Sequence, residues 1–162
     1  MLEQKARQTI DKKLIESGWL IQDFYDFNPS AALGVAVREH VTDSGPVDYS
    51  LFIKCRLCGL IEAKKDDWGE KITEVEDQTR RYANSVFKNV DPIVCTVRFV
   101  YEATGQITQF TDYQDQICRS RRVYTFHRPK TLEKWIREGE TIRNHLRNLP
   151  ILEKQNLRDC QF

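Results

Sequence analysis

Two short apolar runs that each carry charged residues constrain this chain more than any other feature. In residues 47–54, Val47, Tyr49, Leu51 and Ile53 alternate with Asp48, Ser50, Phe52 and Lys54. That period of two is the signature of a strand. The second run is Cys58-Gly59-Leu60-Ile61-Glu62-Ala63-Lys64. Arg56 and Leu57 leave only a short connection between them, so the two runs are expected to pair as a hairpin. Gly59 is the one clear turn signal nearby. Residues 33–41 read as a further strand just upstream.

The rest of the chain alternates helical and extended patterns. Leu2, Ala6, Ile10 and Leu14 recur every four residues, which predicts an amphipathic helix over 2–17 stopped by Gly18. Residues 24–33 contain Asn28-Pro29-Ser30 and read as a loop. A second helix is expected over 70–89, with Ile72, Val75, Tyr82, Val86 and Phe87 on its apolar side and Asp91-Pro92 as its end. Residues 93–101 are strongly β-prone and read as a buried strand. Thr104-Gly105 marks a turn, with short strands over 106–111 and 123–126. A third helix is expected to start at Thr131, capped by Thr131 after Pro129. This order predicts an α/β domain with a mixed central sheet flanked by helices.

A chain of 162 residues can bury one ordinary core. With 40% hydrophobic and 30% charged residues it is not disordered as a whole. Its net charge of +1 identifies no partner. The most basic stretch, Arg119-Ser120-Arg121-Arg122, reads as a solvated loop or edge strand. Five cysteines is an odd number, and no leader-like segment precedes them. Reduced thiols in a cytoplasmic protein are therefore expected. No apolar run approaches the roughly 20 residues that span a bilayer. Cys55 and Cys58 are half of a zinc pattern without a second pair, so zinc is not expected.

The chemistry sits in the hairpin. Glu62 and Lys64 are two apart on one strand and share a face. If the register agrees, Asp48 lies beside them on the neighbouring strand. Two carboxylates and an ammonium then converge at one strand end. Hydrolysis of a phosphodiester needs this set. A divalent metal offsets the charge growing on the phosphate and supplies a hydroxide nucleophile. Magnesium takes hard oxygen ligands, commonly one or two carboxylates with water and substrate phosphate. A fixed lysine can orient water or stabilise developing charge. A Glu-x-Lys pair alone marks nothing, because exposed pairs are common and worth about 0–1 kcal/mol. Here both acids are embedded in apolar strands, where an unpaired carboxylate is costly.

These residues resemble a known family. Gly45-Pro46-Val47-Asp48-Tyr49-Ser50-Leu51-Phe52-Ile53, followed by Gly59-Leu60-Ile61-Glu62-Ala63-Lys64-Lys65, looks like the PD-(D/E)xK core of type I restriction enzymes. Specifically, it resembles the N-terminal nuclease domain of their restriction (motor) subunit. The proline is displaced by one position, with Val47 between Pro46 and Asp48, as is ordinary in that group. The resemblance implies a restriction-endonuclease-like fold. It implies that Asp48 and Glu62 bind Mg2+, with Mn2+ as a substitute. The Ala63 carbonyl would be a further ligand and Lys64 the catalytic lysine. Gln78 and Tyr82 match the QxxxY motif of the same branch, where the helix supports the site and contacts DNA. From its position alone, Tyr82 is a core residue. Glu3, on a stretch resembling the family's first helix, is a candidate extra carboxylate, with a surface role as the plain reading. Glu39 and His40 can reach the site or simply mark a strand edge.

Residues 125–129 and 157–161 resemble the link from nuclease to helicase. Residues 1–149 are accordingly expected to form the nuclease domain, with 150–162 leading toward an ATP-driven translocase. The chain has no phosphate-binding Gly-x-x-x-x-Gly-Lys loop, so ATP would belong to that further domain. The implied activity is magnesium-dependent cutting of double-stranded DNA without sequence specificity of its own. The implied partners are methyltransferase and specificity subunits in a prokaryotic cytoplasm, without a membrane. Lys65, Arg80, Arg81 and the 119–122 run would supply phosphate contacts. The alternatives are a catalytically silent docking module of the same fold and a stand-alone nuclease.

Overall fold

The computed structural model describes residues 2–64, 86–88, 90 and 97–150, with side chains from Ala6 onward. Helix α1 spans Leu2–Glu16. Ala6, Ile10 and Leu14 are buried, as the spacing of four requires. The chain leaves the helix through Gly18, whose φ of 86° is left-handed.

Seven strands follow: β1 (Leu20–Asp23), β2 (Gly34–Thr42), β3 (Gly45–Ile53), β4 (Arg56–Ala63), β5 (Phe99–Ala103), β6 (Thr108–Asp112) and β7 (Arg121–Val123). They form one sheet whose spatial order equals their chain order. β1 is parallel to β2 and β4 is parallel to β5, while every other neighbouring pair is antiparallel. The fold is therefore a mixed α/β sheet, and β3–β4 is the expected hairpin. Helices α2 (Pro129–Glu138) and α3 (Ile142–Arg147) complete the described elements.

Both faces of the sheet are packed. On one, Ile10 and Leu14 of α1 and Leu132 of α2 lie against Tyr49, Leu51, Ile61, Tyr101 and Phe110. On the other, Val35, Val37, Phe52, Leu60 and Val100 are covered by Phe24, Phe27 and Phe87. Each such large side chain contributes about 1.5–3 kcal/mol when fully buried. Among the described residues both longer helices pack on the first face. Every residue of β5 is buried, which makes it a central strand. Gly59 allows β4 to approach it, because a Cβ there would strike the Phe99 carbonyl oxygen.

Several expectations need correction. The hairpin connection is Lys54-Cys55, not Arg56-Leu57, and both residues have positive φ (48° and 66°). A tight two-residue turn needs that left-handed geometry. β4 accordingly starts at Arg56. β1 had no counterpart in the sequence reading, and Phe24–Asp26 is a short 3-10 turn rather than open loop. Residues 70–85 and 89 of the second expected helix lie outside the described residues, and Phe87 is not helical. It makes an antiparallel bridge to Thr42, and the Lys88 amide donates to the Val41 carbonyl at 3.0 Å. Of the strand expected over 93–101, residues 93–96 lie outside the described residues, Val97 and Arg98 are not part of a strand, and β5 holds Phe99 onward. Thr131 does not cap α2. Arg128 holds the cap position and Pro129 opens the helix, its missing N–H costing nothing there. α3 is separate and is capped by Thr141, whose hydroxyl accepts from the Asn144 amide.

Candidate functional site at the ends of strands β3 and β4

The β3–β4 ladder pairs Tyr49 with Ile61 as its last registered step. Asp48 and Glu62 lie one residue beyond on each strand. There the Asp48 side chain replaces the ladder: the Ala63 amide donates to Asp48 Oδ2 at 2.9 Å. The carboxylate is thus fixed by the main chain of the strand that carries Glu62. On the other side, the β2–β3 ladder skips the pair formed by Glu39 and Asp48. Glu39 has a φ of 50°, and the strand alternation changes phase at this point. Val47 consequently packs with Phe52 rather than with Tyr49 and Leu51. The strict alternation expected along β3 fails here.

Lys64 lies at the end of β4. Its amide donates to the Ala103 carbonyl at 2.7 Å. Its ammonium meets Glu62 Oε1 at 3.1 Å, and the two side chains are only 13% and 12% exposed. The amine therefore faces the acid rather than bulk solvent. Burial pushes the Glu62 carboxyl above the usual range, and the charges of Asp48 and Glu102 add to the shift, while Lys64 opposes it. Asp48 is thus close enough for its charge to be felt at Glu62.

Two residues at this place were not singled out from the sequence. Glu102 pairs directly with Glu62 across the parallel β4–β5 ladder and is buried. An acid inside the apolar run 99–103 was the signal, the same one that marked Asp48. The second is Arg7 on α1. Its Nη2 donates to Asp48 Oδ1 at 2.6 Å and its Nη1 to Glu39 Oε1 at 2.7 Å. One turn further along α1, Asp11 accepts from Arg38 at 2.9 Å and from the Tyr49 hydroxyl at 2.8 Å. Burial and the bond to Asp11 push the Tyr49 hydroxyl well above its usual pKa. A cleft lined by Arg7, Tyr25, Arg38, Glu39, Pro46 and Asp48 opens onto this point.

The other candidate residues fall elsewhere. Glu39 is at the site through Arg7, but its side chain is 66% exposed. His40 is buried on the opposite face, bonded to Ser50 at 2.7 Å and to the Lys88 carbonyl at 2.8 Å. Gln78 and Tyr82 lie outside the described residues, and so do the side chain of Glu3 and the stretch 151–162. Lys65, Arg80 and Arg81 are also outside. The basic stretch 119–122 contributes Arg121 and Arg122 to β7 at the sheet edge. Cys55 is exposed in the hairpin turn, whereas Cys58 is buried with its thiol donating to the Leu51 carbonyl.

A hard divalent cation fits the donor chemistry of Asp48, Glu62 and the Ala63 carbonyl, which are all oxygen. Among the described residues no cluster of three or more His, Cys, Asp or Glu is assembled to hold a metal. Such a site would need main-chain, water or substrate oxygen to complete it.

The chain is similar in structure to a fragment assigned as the HsdR subunit of a type I restriction enzyme from Vibrio vulnificus YJ016. The TM-score is 0.53 at 19% identity, over 86% of this chain and 26% of that one. That likeness carries the fold. This chain spans about a quarter of the neighbour's length. No protein-family profile and no curated protein sequence matches. No described helix is long and apolar enough to cross a membrane.

Proposed function

We propose that this chain is a magnesium-dependent endonuclease domain of the PD-(D/E)xK type, working within a type I restriction enzyme. The observation that carries the reading is the juxtaposition of Asp48, Glu62 and Lys64 at the ends of two paired strands. The similarity in fold to the HsdR fragment supports the same reading.

Asp48, Glu62 and the Ala63 carbonyl would hold the cation. When bound, the ion offsets the charge on the scissile phosphate and lowers the pKa of a water nucleophile. The Ala63 amide fixes one Asp48 oxygen, so the other is the one aimed at the ligand. Glu62 holds the Lys64 ammonium at the end of the neighbouring strand. A preoriented cation there stabilises charge that develops during bond cleavage. Double-stranded DNA is the proposed substrate, read for sequence by a separate specificity subunit. Methyltransferase subunits and an ATP-driven motor, with residues 150–162 as the link toward it, complete the proposed cytoplasmic assembly.

The test is substitution of Asp48, Glu62 or Lys64 by Ala in the full assembly. DNA cutting is expected to fall by about three orders of magnitude or more, the scale of losing roughly 4 kcal/mol of transition-state stabilisation. ATP use and DNA binding are expected to persist. Cutting that survives all three substitutions would leave a DNA- or subunit-docking module as the better account.

A further inference from the structure

We propose that Arg7 is a resident counter-ion that competes with the divalent cation for Asp48. The inference rests on the reading of Asp48 as a metal ligand and adds a control on that site.

The geometry around Asp48 leaves little choice. Oδ2 accepts from the Ala63 amide at 2.9 Å, a bond built into the end of β4. Oδ1 is the oxygen left to face a cation, and Arg7 Nη2 holds it at 2.6 Å. The other arm of the guanidinium holds Glu39 at 2.7 Å. Arg7 therefore pairs with both acids of the skipped step of the β2–β3 ladder, offsetting one of their two charges. A divalent ion at Oδ1 would stand within a few ångströms of this positive charge. The two cations repel, and binding of one disfavours the other.

Arg7 is also placed to move. Its helix is anchored beside it by buried Ala6 and Ile10. The side chain itself is 38% exposed at the cleft. Its Nε is buried and has no hydrogen-bond partner among the described residues. An unsatisfied buried donor is costly, which offsets part of what the two charge-assisted bonds contribute to the closed arrangement. Turning outward satisfies that donor and frees Asp48 Oδ1. It also carries a guanidinium into the cleft through which a phosphate would approach, and the fork of an arginine suits phosphate oxygens.

The experiment is a calorimetric titration of the full-length protein with MnCl2, without DNA. Arg7→Met keeps the length of the side chain and removes its charge. It is expected to tighten Mn2+ binding about tenfold, equal to about 1.4 kcal/mol. Arg7→Lys is expected to stay near the wild-type value. Unchanged or weaker binding in Arg7→Met, alongside Asp48-dependent binding in the wild type, overturns the competition while leaving the metal site standing. Equal binding in wild type and Asp48→Asn overturns the metal site and this inference with it. Should Arg7→Met fail to fold, Arg7→Gln carries the same comparison.

Discussion

Two charged clusters built into the same sheet make an instructive contrast. At the start of β5, Arg98 and Asp112 are 8% and 6% exposed. Arg98 grips Asp112 through two bonds of 2.9 Å and donates also to the carbonyls of Trp135 and Glu140. Its guanidinium lies 4.7 Å from the centre of the Phe99 ring. Asp112 accepts in addition from the Gln114 amide. Every strong donor and acceptor there is closed by protein, so the cluster pins β5 and β6 to the segment that joins α2 and α3. At the ends of β3 and β4 the same residue types behave differently. Asp48 is held by a main-chain amide and a half-exposed arginine and lines an open cleft, and Glu62 pairs with Lys64 while feeling the charges of two other acids. A closed ion pair holds the fold together. An open one is where exchangeable cations and anions can act.

Substitutions at the two clusters should separate these roles. Asp48→Asn is expected to remove cutting in the assembly by about three orders of magnitude. Chemical denaturation should find its stability within about 1 kcal/mol of wild type, because the freed Arg7 reaches solvent. Asp112→Asn should do the reverse. It strands a buried guanidinium and should cost about 3–5 kcal/mol in the same denaturation experiment. Equal destabilisation by the two would erase the contrast.

Gly59→Ala tests the seam between the clusters. The new Cβ presses on the Phe99 carbonyl in the neighbouring strand. A cost of about 1–3 kcal/mol is expected in thermal unfolding, the usual scale of overpacking. Cutting should fall too, because β4 carries Glu62. The smallest expected effect is one of pH. Burial, helped by Arg121, lowers the His127 pKa to about 4, and burial lowers that of His40 as well. The unfolded imidazoles charge near 6.5 while the folded ones stay neutral. Stability contributed by neutral His127 is thus complete above pH 6.5 and declines as pH falls toward 4. A loss on the order of 1–2 kcal/mol between pH 7 and 5 is expected in urea unfolding. His127→Gln should flatten that slope, and a slope unchanged by it would show that other groups set the acid limit.

Much of the sheet was legible because alternation is written residue by residue. Tyr49, Leu51 and Ile53 point one way for a reason any extended chain obeys. The turn at Lys54-Cys55 was not legible. Its left-handed geometry usually calls for Asn or Gly, and neither is present. β1 was missed because four residues carry too little pattern to be seen, and they join the sheet only by lying parallel to β2. At the site, the acids and the lysine stood out as charges inside apolar runs. Arg7 did not, since a polar residue on an amphipathic helix looks like any solvated one.

The amino-acid order alone determined that 47–53 and 58–63 extend and pair, whereas the register that brings Asp48 level with Glu62, with its shift between Leu51 and Phe52, was decided by the fold. The order also determined that α1 offers an apolar stripe to a sheet. Only tertiary packing decided that α1 would lie on the sheet so as to set Arg7 against an acid 41 residues away. It likewise put Glu102 beside Glu62. Period and propensity act between near neighbours, whereas a side chain's distant partner follows from strand register and from which helix covers which face.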